Sequence, residues 1–262
     1  QQVHKVMQTP AETVMTDLLS AKASARQHHS RTPSIRRPSM TLPAGYVRSE
    51  YGILLRKNWL DATFHFCSKG TYDHFLADFL RQQQQPFAML DIGANQGLYS
   101  ILAGLNPNCQ RVLAFEPVSS TFSLLTANIA INGVDDVVKP VKAAVSLSTG
   151  KATIAKKPGH SGAASLRALP GWFRLTETIA TLGPEALREL LPTCVDLIIK
   201  VDVEGHEQIV FDALSQAGIL AQATAVFYEV NPEWSQESAL KTLLQAHGFT
   251  GFTRTSSRPC HD

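Results

Sequence analysis

Phe87-Ala88-Met89-Leu90-Asp91-Ile92-Gly93-Ala94-Asn95-Gln96-Gly97 is the stretch that decides the fold of this chain. An apolar run ends in an acid, a loop follows with three residues between its two glycines, and a helix-forming run continues from Leu98 to Leu105. Strand, tight turn and helix in that order make the first crossover of a nucleotide-type α/β fold. Gly93 lets the chain turn sharply, and Gly97 lets a ligand or a strand approach the start of the helix. The spacing Asp-x-Gly-x-x-x-Gly is neither the Gly-x-Gly-x-x-Gly of dinucleotide dehydrogenases nor a phosphate loop ending in Lys-Ser/Thr. A phosphate-binding turn aims backbone amides at an anion and tolerates no carboxylate at its lip. Asp91 suits a cationic or hydroxyl-rich ligand instead, and S-adenosylmethionine, with its sulfonium and α-amine, answers to that description.

Arg111 to Glu116 reads as the next strand, again apolar and again closed by a carboxylate. Right-handed crossovers bring successive strand ends to one edge of the sheet. Glu116 therefore belongs beside the Gly93–Gly97 turn, where a carboxylate accepts from both hydroxyls of a ribose. Asp196 to Asp202 is a third such strand, with the near-continuous hydrophobicity of a position buried on both faces. It turns polar through Val203-Glu204-Gly205-His206-Glu207. Lys200 and Asp202 fall on one face, joined by Glu204 if the chain stays extended. Charges at such a place must pair, because an unpaired buried ion costs several kcal/mol. Lys200 with Glu204 is the expected structural pair, and Asp202 is assigned to function.

Together, Asp91-Ile92-Gly93-Ala94-Asn95-Gln96-Gly97, Phe115-Glu116-Pro117 and Lys200-Val201-Asp202-Val203-Glu204-Gly205-His206-Glu207 resemble the FkbM-type methyltransferases. Leu124-Leu125 with Asn128, Asn132-Gly133 and the earlier Gly70-Thr71-Tyr72-Asp73 look like that family's intervening elements, so the resemblance runs from about residue 50 to about residue 250. It implies a doubly wound, mostly parallel sheet of the Rossmann-like methyltransferase kind. It also implies an S-adenosylmethionine-dependent O-methyltransferase acting on a hydroxyl of a sugar, lipid or secondary metabolite. Asp91, Gly93, Asn95, Gly97 and Glu116 form the expected cofactor-binding set. Ala144 joins them, because Val137 to Val145 reads as the third strand with its tip near the adenine.

Methyl transfer to an alcohol needs the nucleophile, methyl and sulfur in line, together with a base for the hydroxyl proton. Asp202, Glu204 and His206 are the candidates, with Asp202 or Glu204 ahead of His206. His65, Tyr72 and Asp73 are candidates to line the acceptor pocket. A Mg²⁺-dependent variant would use Asp202, Glu229 and Asn231 at two strand tips, which are hard oxygen donors of the right type. It is the minor alternative, and no metal ligands are assigned. Asn231-Pro232-Glu233-Trp234 reads as a helix start with Asn231 as N-cap and Pro232 in the first turn, not as a base-gripping motif.

The rest of the chain is organised around this core. Residues 1–48 carry seven Lys/Arg against Glu12 and Asp17, so a net +5 there leaves −3 for the remainder of a chain of net charge +2. Thr9-Pro10-Ala11-Glu12 is a capping box that predicts a helix from Pro10 to about Arg26, and Ser30 to Pro43 reads as an extended arm. These form an N-terminal helical and extended appendage (1–48), followed by a cap segment (49–85) and the cofactor-binding domain (86–262). Strand-like alternation is expected through Ile53, Leu55, Trp59, Thr63, Phe64 and Phe66, then a helix from Tyr72 to Leu80. Gly150 to Ala164 is expected to hold a mobile loop at Gly159-His160-Ser161-Gly162. A helix is expected at Glu185 to Leu191 and from Glu233 to Ala246, with a last strand from Phe249 to Thr253. The closing antiparallel strand of such a sheet is not evident after it. Cys67, Cys109, Cys194 and Cys260 have no paired spacing, which argues against a disulfide framework or a zinc site and for a reducing, cytoplasmic setting. No apolar run reaches the ~20 residues that span a bilayer. The expected partner is a small hydroxyl-bearing molecule. An RNA or protein methyltransferase using the basic arm, or a non-catalytic module on the same fold, are the alternatives.

Overall fold

The computed structural model describes the backbone of residues 2–8 and the whole of residues 42–72, 74–166, 175–191, 196–230 and 237–255. In chain order the elements are β1 (Gln2–Gln8), β2 (Tyr46–Arg48), β3 (Leu54–Arg56), α1 (Ala62–Lys69), α2 (His74–Arg81), β4 (Phe87–Ile92), α3 (Leu98–Gly104), β5 (Cys109–Phe115) and α4 (Ser119–Ile131). There follow β6 (Val138–Val141), β7 (Ala144–Val145), β8 (Gly150–Lys157), β9 (His160–Ser165), β10 (Leu175–Leu182), α5 (Pro184–Leu190), β11 (Asp196–Val201), α6 (Glu207–Gln216), β12 (Ala223–Val230), α7 (Glu237–Ala246) and β13 (Phe249–Arg254).

The apolar runs become the buried centre of a seven-stranded sheet in the order β13-β1-β12-β11-β4-β5-β6. Neighbours from β12 to β6 pair in parallel. Side chains alternate between two apolar layers, as a doubly wound sheet requires. Phe87 and Met89 of β4 face Phe64, Leu80, Ile101 and Leu125, whereas Leu90 and Ile92 face the layer of Phe211 and Leu214. Two glycines set how closely the helices approach. A Cβ on Gly104 would stand 2.6 Å from Val138 Cγ2, and one on Gly97 would stand 2.6 Å from Leu125 Cδ1.

Several expectations are corrected here. The missing antiparallel strand comes from the other end of the sequence: β1 lies between β12 and β13 and runs antiparallel to both. Residues 1–48 are thus not simply an appendage, since they supply β1 and β2. The helix expected over Pro10 to Arg26 and most of the arm from Ser30 to Pro43 lie outside the described residues. Thr63, Phe64 and Phe66 are helical, not strand-like, because Asp61 caps α1 by accepting from Phe64 N at 2.9 Å and Gly70 stops it at φ 65°. Val137 to Val145 is two strands in two sheets. The second of these sheets has the order β7-β10-β8-β9, so the stretch expected as a mobile loop is instead a strand pair turning at Pro158-Gly159. Helix α7 is described from Glu237 onward, and the Asn231–Trp234 helix start lies outside the described residues.

Candidate active site

The parallel strands deliver their acids to one edge, but not all into the same space. Asp91 is fully buried; its Oδ2 accepts from Ser100 Oγ at 2.6 Å and its Oδ1 lies 3.1 Å from Lys200 Nζ. Lys200 also donates to the Gly93 carbonyl at 2.8 Å and lies 3.4 Å from Asp202 Oδ2. The expected Lys200–Glu204 pair is therefore replaced by a pairing with Asp91 and Asp202. The cause is local: Glu204 has φ 49°, so the chain has left the extended conformation that would have kept it on the Lys200 face. Burial pulls the Lys200 ammonium down, but the Asp91 and Asp202 carboxylates reverse this and hold its pKa above the ordinary value. Asp91 braces the turn from beneath, through the cation.

Gly93 turns with φ 81° directly against the neighbouring strand end, where a Cβ would lie 1.8 Å from the Asp202 carbonyl oxygen. Asn95 follows at φ 49°. Its backbone N–H donates to Glu116 Oε2 at 3.1 Å, while Val118 N donates to Glu116 Oε1 at 2.9 Å. These two bonds fix the Glu116 carboxyl at the tip of β5 and still leave lone pairs on both oxygens. Burial pushes its pKa up to about 7 against the pull of those N–H donors.

Asp61 is a residue that sequence reading passed over. Besides capping α1, it accepts from Ser161 N at 2.7 Å, Ser161 Oγ at 3.0 Å and Gln96 Nε2 at 2.8 Å. One buried carboxylate so ties the cap helix, the β9 strand and the glycine loop together. Gln96 is 1 % exposed, and its bond to Asp61 fixes the amide orientation. Its Oε1 consequently has no partner among the described residues. The available signal was Asp61 three residues before Phe64, an N-cap pattern.

These elements enclose a cavity of about 630 Å³. Gly93, Asn95, Gln96 and Glu116 line it from the loop side, and Ala144 and Ile154 from the second sheet. Asp91 and Gly97 do not line it; Leu125 occupies the space that Gly97 opens. Phe66, Tyr72, His74, Asp202, Glu204 and His206 also line the cavity. Carboxylate oxygens of Asp202, Glu204 and Glu229 all lie within 4.8 Å of one another, a spacing that suits a divalent cation or a hydroxyl-rich molecule. Asn231 and Asp73 lie outside the described residues, and His65 bonds the Trp59 carbonyl instead of facing the cavity. Burial lowers the His206 pKa, so its ring is neutral near pH 7, and its Nε2 has no partner among the described residues. Burial likewise keeps the Tyr72 hydroxyl protonated and pushes the Cys67 thiol up to about 12, which makes that thiol unreactive.

A family model, the methyltransferase FkbM domain, matches residues 91–250. Hexuronic acid methyltransferase AglP of Haloferax volcanii is 26% identical over 175 residues, covering 67% of this chain and 69% of the relative. Methyltransferase sdnD of Sordaria araneosa is 28% identical over 139 residues, covering 53% of this chain and about half (52%) of its own length. Among solved structures, the precorrin-6Y C5,15-methyltransferase of Geobacter metallireducens GS-15 aligns at 18% identity with a TM-score of 0.42, covering 69% of this chain and 72% of that one. No helix among the described residues is long and apolar enough to cross a membrane.

Proposed function

The chain belongs to the FkbM methyltransferase family, and from that premise we propose that it is an S-adenosylmethionine-dependent O-methyltransferase whose acceptor is a small hydroxyl-bearing molecule. The observation that carries the reading is Glu116: a carboxyl at a strand tip, oriented by two backbone N–H groups and lining the cavity. Such a carboxyl accepts from a ribose diol, as it does across nucleotide-type α/β folds. Gln96 Oε1 offers a second buried acceptor on the same wall, suited to an amine. The residues present thus fit the cofactor's polar groups.

S-adenosylmethionine, when bound, supplies an electrophilic methyl carbon on sulfur. The chain's own part is to hold the acceptor oxygen in line with it and to take the hydroxyl proton. Asp202, Glu204 and Glu229 accept hydrogen bonds from acceptor hydroxyls and so fix their orientation. His206 is the base we favour, because it is neutral and its Nε2 is unengaged by other described residues, whereas Asp202 already leans on Lys200. Tyr72, kept protonated, walls the cavity as a hydrogen-bond donor. The name of the hexuronic acid methyltransferase relative supports a sugar-type acceptor within this class. The test is calorimetric titration of S-adenosylhomocysteine into the wild type and Glu116→Ala. Micromolar binding that collapses in the folded variant supports the reading; no binding by folded wild type overturns it.

A further inference from the structure

Trp59 and Leu60 stand out on the surface: they are 56% and 90% exposed on the turn that precedes α1. This turn is held in place. Asp61 N donates to the Asn58 carbonyl at 3.0 Å, Ala62 N to the Gly159 carbonyl at 2.8 Å, and His65 Nε2 bonds the Trp59 carbonyl at 2.9 Å. The Trp59 ring meets Phe64 edge-on at 5.1 Å, so one side of the indole is anchored while the rest faces solvent. The Ala62–Gly159 bond sets the turn beside the Lys157-Pro158-Gly159 turn of the β8–β9 pair, and Lys57 N donates to the Gly45 carbonyl at 2.8 Å, which brings in a third turn close to Leu42, itself 46% exposed.

The exposed charges next to these apolar side chains in sequence are cationic. Arg56, Lys57 and Lys157 are exposed and form no ion pair with another described residue. Residues 42–60 contain one carboxylate, Glu50, and residues 150–160 contain none. Asp61, the nearest acid in sequence, is buried and committed to Phe64, Ser161 and Gln96.

We infer that the Trp59–Leu60 turn, ringed by Arg56, Lys57 and Lys157, is a surface that seats on an anionic lipid bilayer. An amphipathic indole belongs at the boundary between headgroups and acyl chains, a fully exposed leucine gains by entering it, and lysines and arginines reach back to the negative headgroups. A polyanion such as RNA would use the cations but leave Leu60 in water. A protein partner needs a broader apolar face than one turn presents. This assignment stands independently of the methyl-transfer reading.

The experiment is co-sedimentation of the full chain with phosphatidylcholine vesicles, with and without phosphatidylserine. Binding is expected only with phosphatidylserine, falling as salt is added. Trp59→Ala with Leu60→Ala, and separately Lys57→Glu with Lys157→Glu, are each expected to weaken it by about tenfold or more while leaving the thermal unfolding midpoint unchanged. The proposal is overturned by no wild-type binding, by equal binding to neutral vesicles, or by binding that the first variant leaves intact. It is also overturned if the turn instead mediates self-association or RNA binding without any vesicle binding.

Discussion

Lys200 Nζ sits 3.1 Å from Asp91 Oδ1 and 2.8 Å from the Gly93 carbonyl, so one buried cation joins the end of β11 to both the end of β4 and the turn that follows it. The two strands are register partners here, Lys200 standing opposite Asp91. The cavity wall inherits its shape from this cation. Lys200→Met leaves the Asp91 carboxylate with Ser100 as its remaining partner among the described residues, and a loss of roughly 3–5 kcal/mol is expected for breaking a buried pair. Asp91→Asn combined with Lys200→Met should recover a large part of it. Denaturant unfolding of the single and double variants measures both quantities.

Glu116 makes binding and stability depend on pH in opposite senses. Its folded pKa of about 7 lies above the unfolded 4.5, so between these values the folded state holds the extra proton. Its contribution to stability is therefore greatest below pH 4.5 and falls as pH rises to about 7, by on the order of 3 kcal/mol. A diol donor favours the ionised form, so S-adenosylhomocysteine should bind about tenfold more weakly at pH 6 than at pH 8, with a proton released on binding. Titrations in buffers of differing ionisation enthalpy report that proton, and Glu116→Gln should abolish both the release and the pH dependence.

His206→Gln separates chemistry from binding. If the imidazole takes the hydroxyl proton, the turnover rate should fall by about two to four decades while S-adenosylhomocysteine affinity stays within a factor of two or so. An unchanged rate would shift the role to Asp202 or Glu204.

Gly93→Ala tests the turn itself. Both the positive φ and the 1.8 Å approach of the Asp202 carbonyl oppose a side chain there. A loss of more than about 4 kcal/mol is expected. It would show as a large drop in the thermal midpoint; Gly133→Ala, at φ 65° but with nothing within 4 Å of its Cβ, should cost only roughly 1–2 kcal/mol and so separates the clash from the backbone strain.

Much of this was legible because parallel strands buried on both faces are written as unbroken apolar runs, and each ends in a conspicuous acid. Phe87–Ile92, Cys109–Phe115 and Asp196–Val201 need no partner to be recognised. Strand β1 is different: Gln-Val-His-Lys-Val-Met-Gln carries no strong apolar pattern, and its place depends on partners far along the chain. Short helix α1 escapes a period-two reading, because the alternation that begins at Ile53 and Leu55 runs on in the sequence to Thr63 and Phe66, past the Asp61 cap that restarts the backbone. The Lys200–Glu204 pairing failed on a single dihedral, the φ of 49° at Glu204, which no period-two count anticipates. Gln96 and Asp61 became visible as site residues only once three separate segments had been brought together.

Strand β1 also bears on the order in which the molecule is completed. Gln2 pairs with Val230 and His4 with Arg254, so this segment is synthesised long before the strands it pairs with. Contacts this distant in sequence are slow to close. Until they do, β12 and β13 present raw edges to any neighbouring nascent chain. The site elements between residues 87 and 207 acquire their neighbours sooner, which makes the far edge of the sheet, away from the chemistry, the place where assembly of this enzyme is most exposed to error.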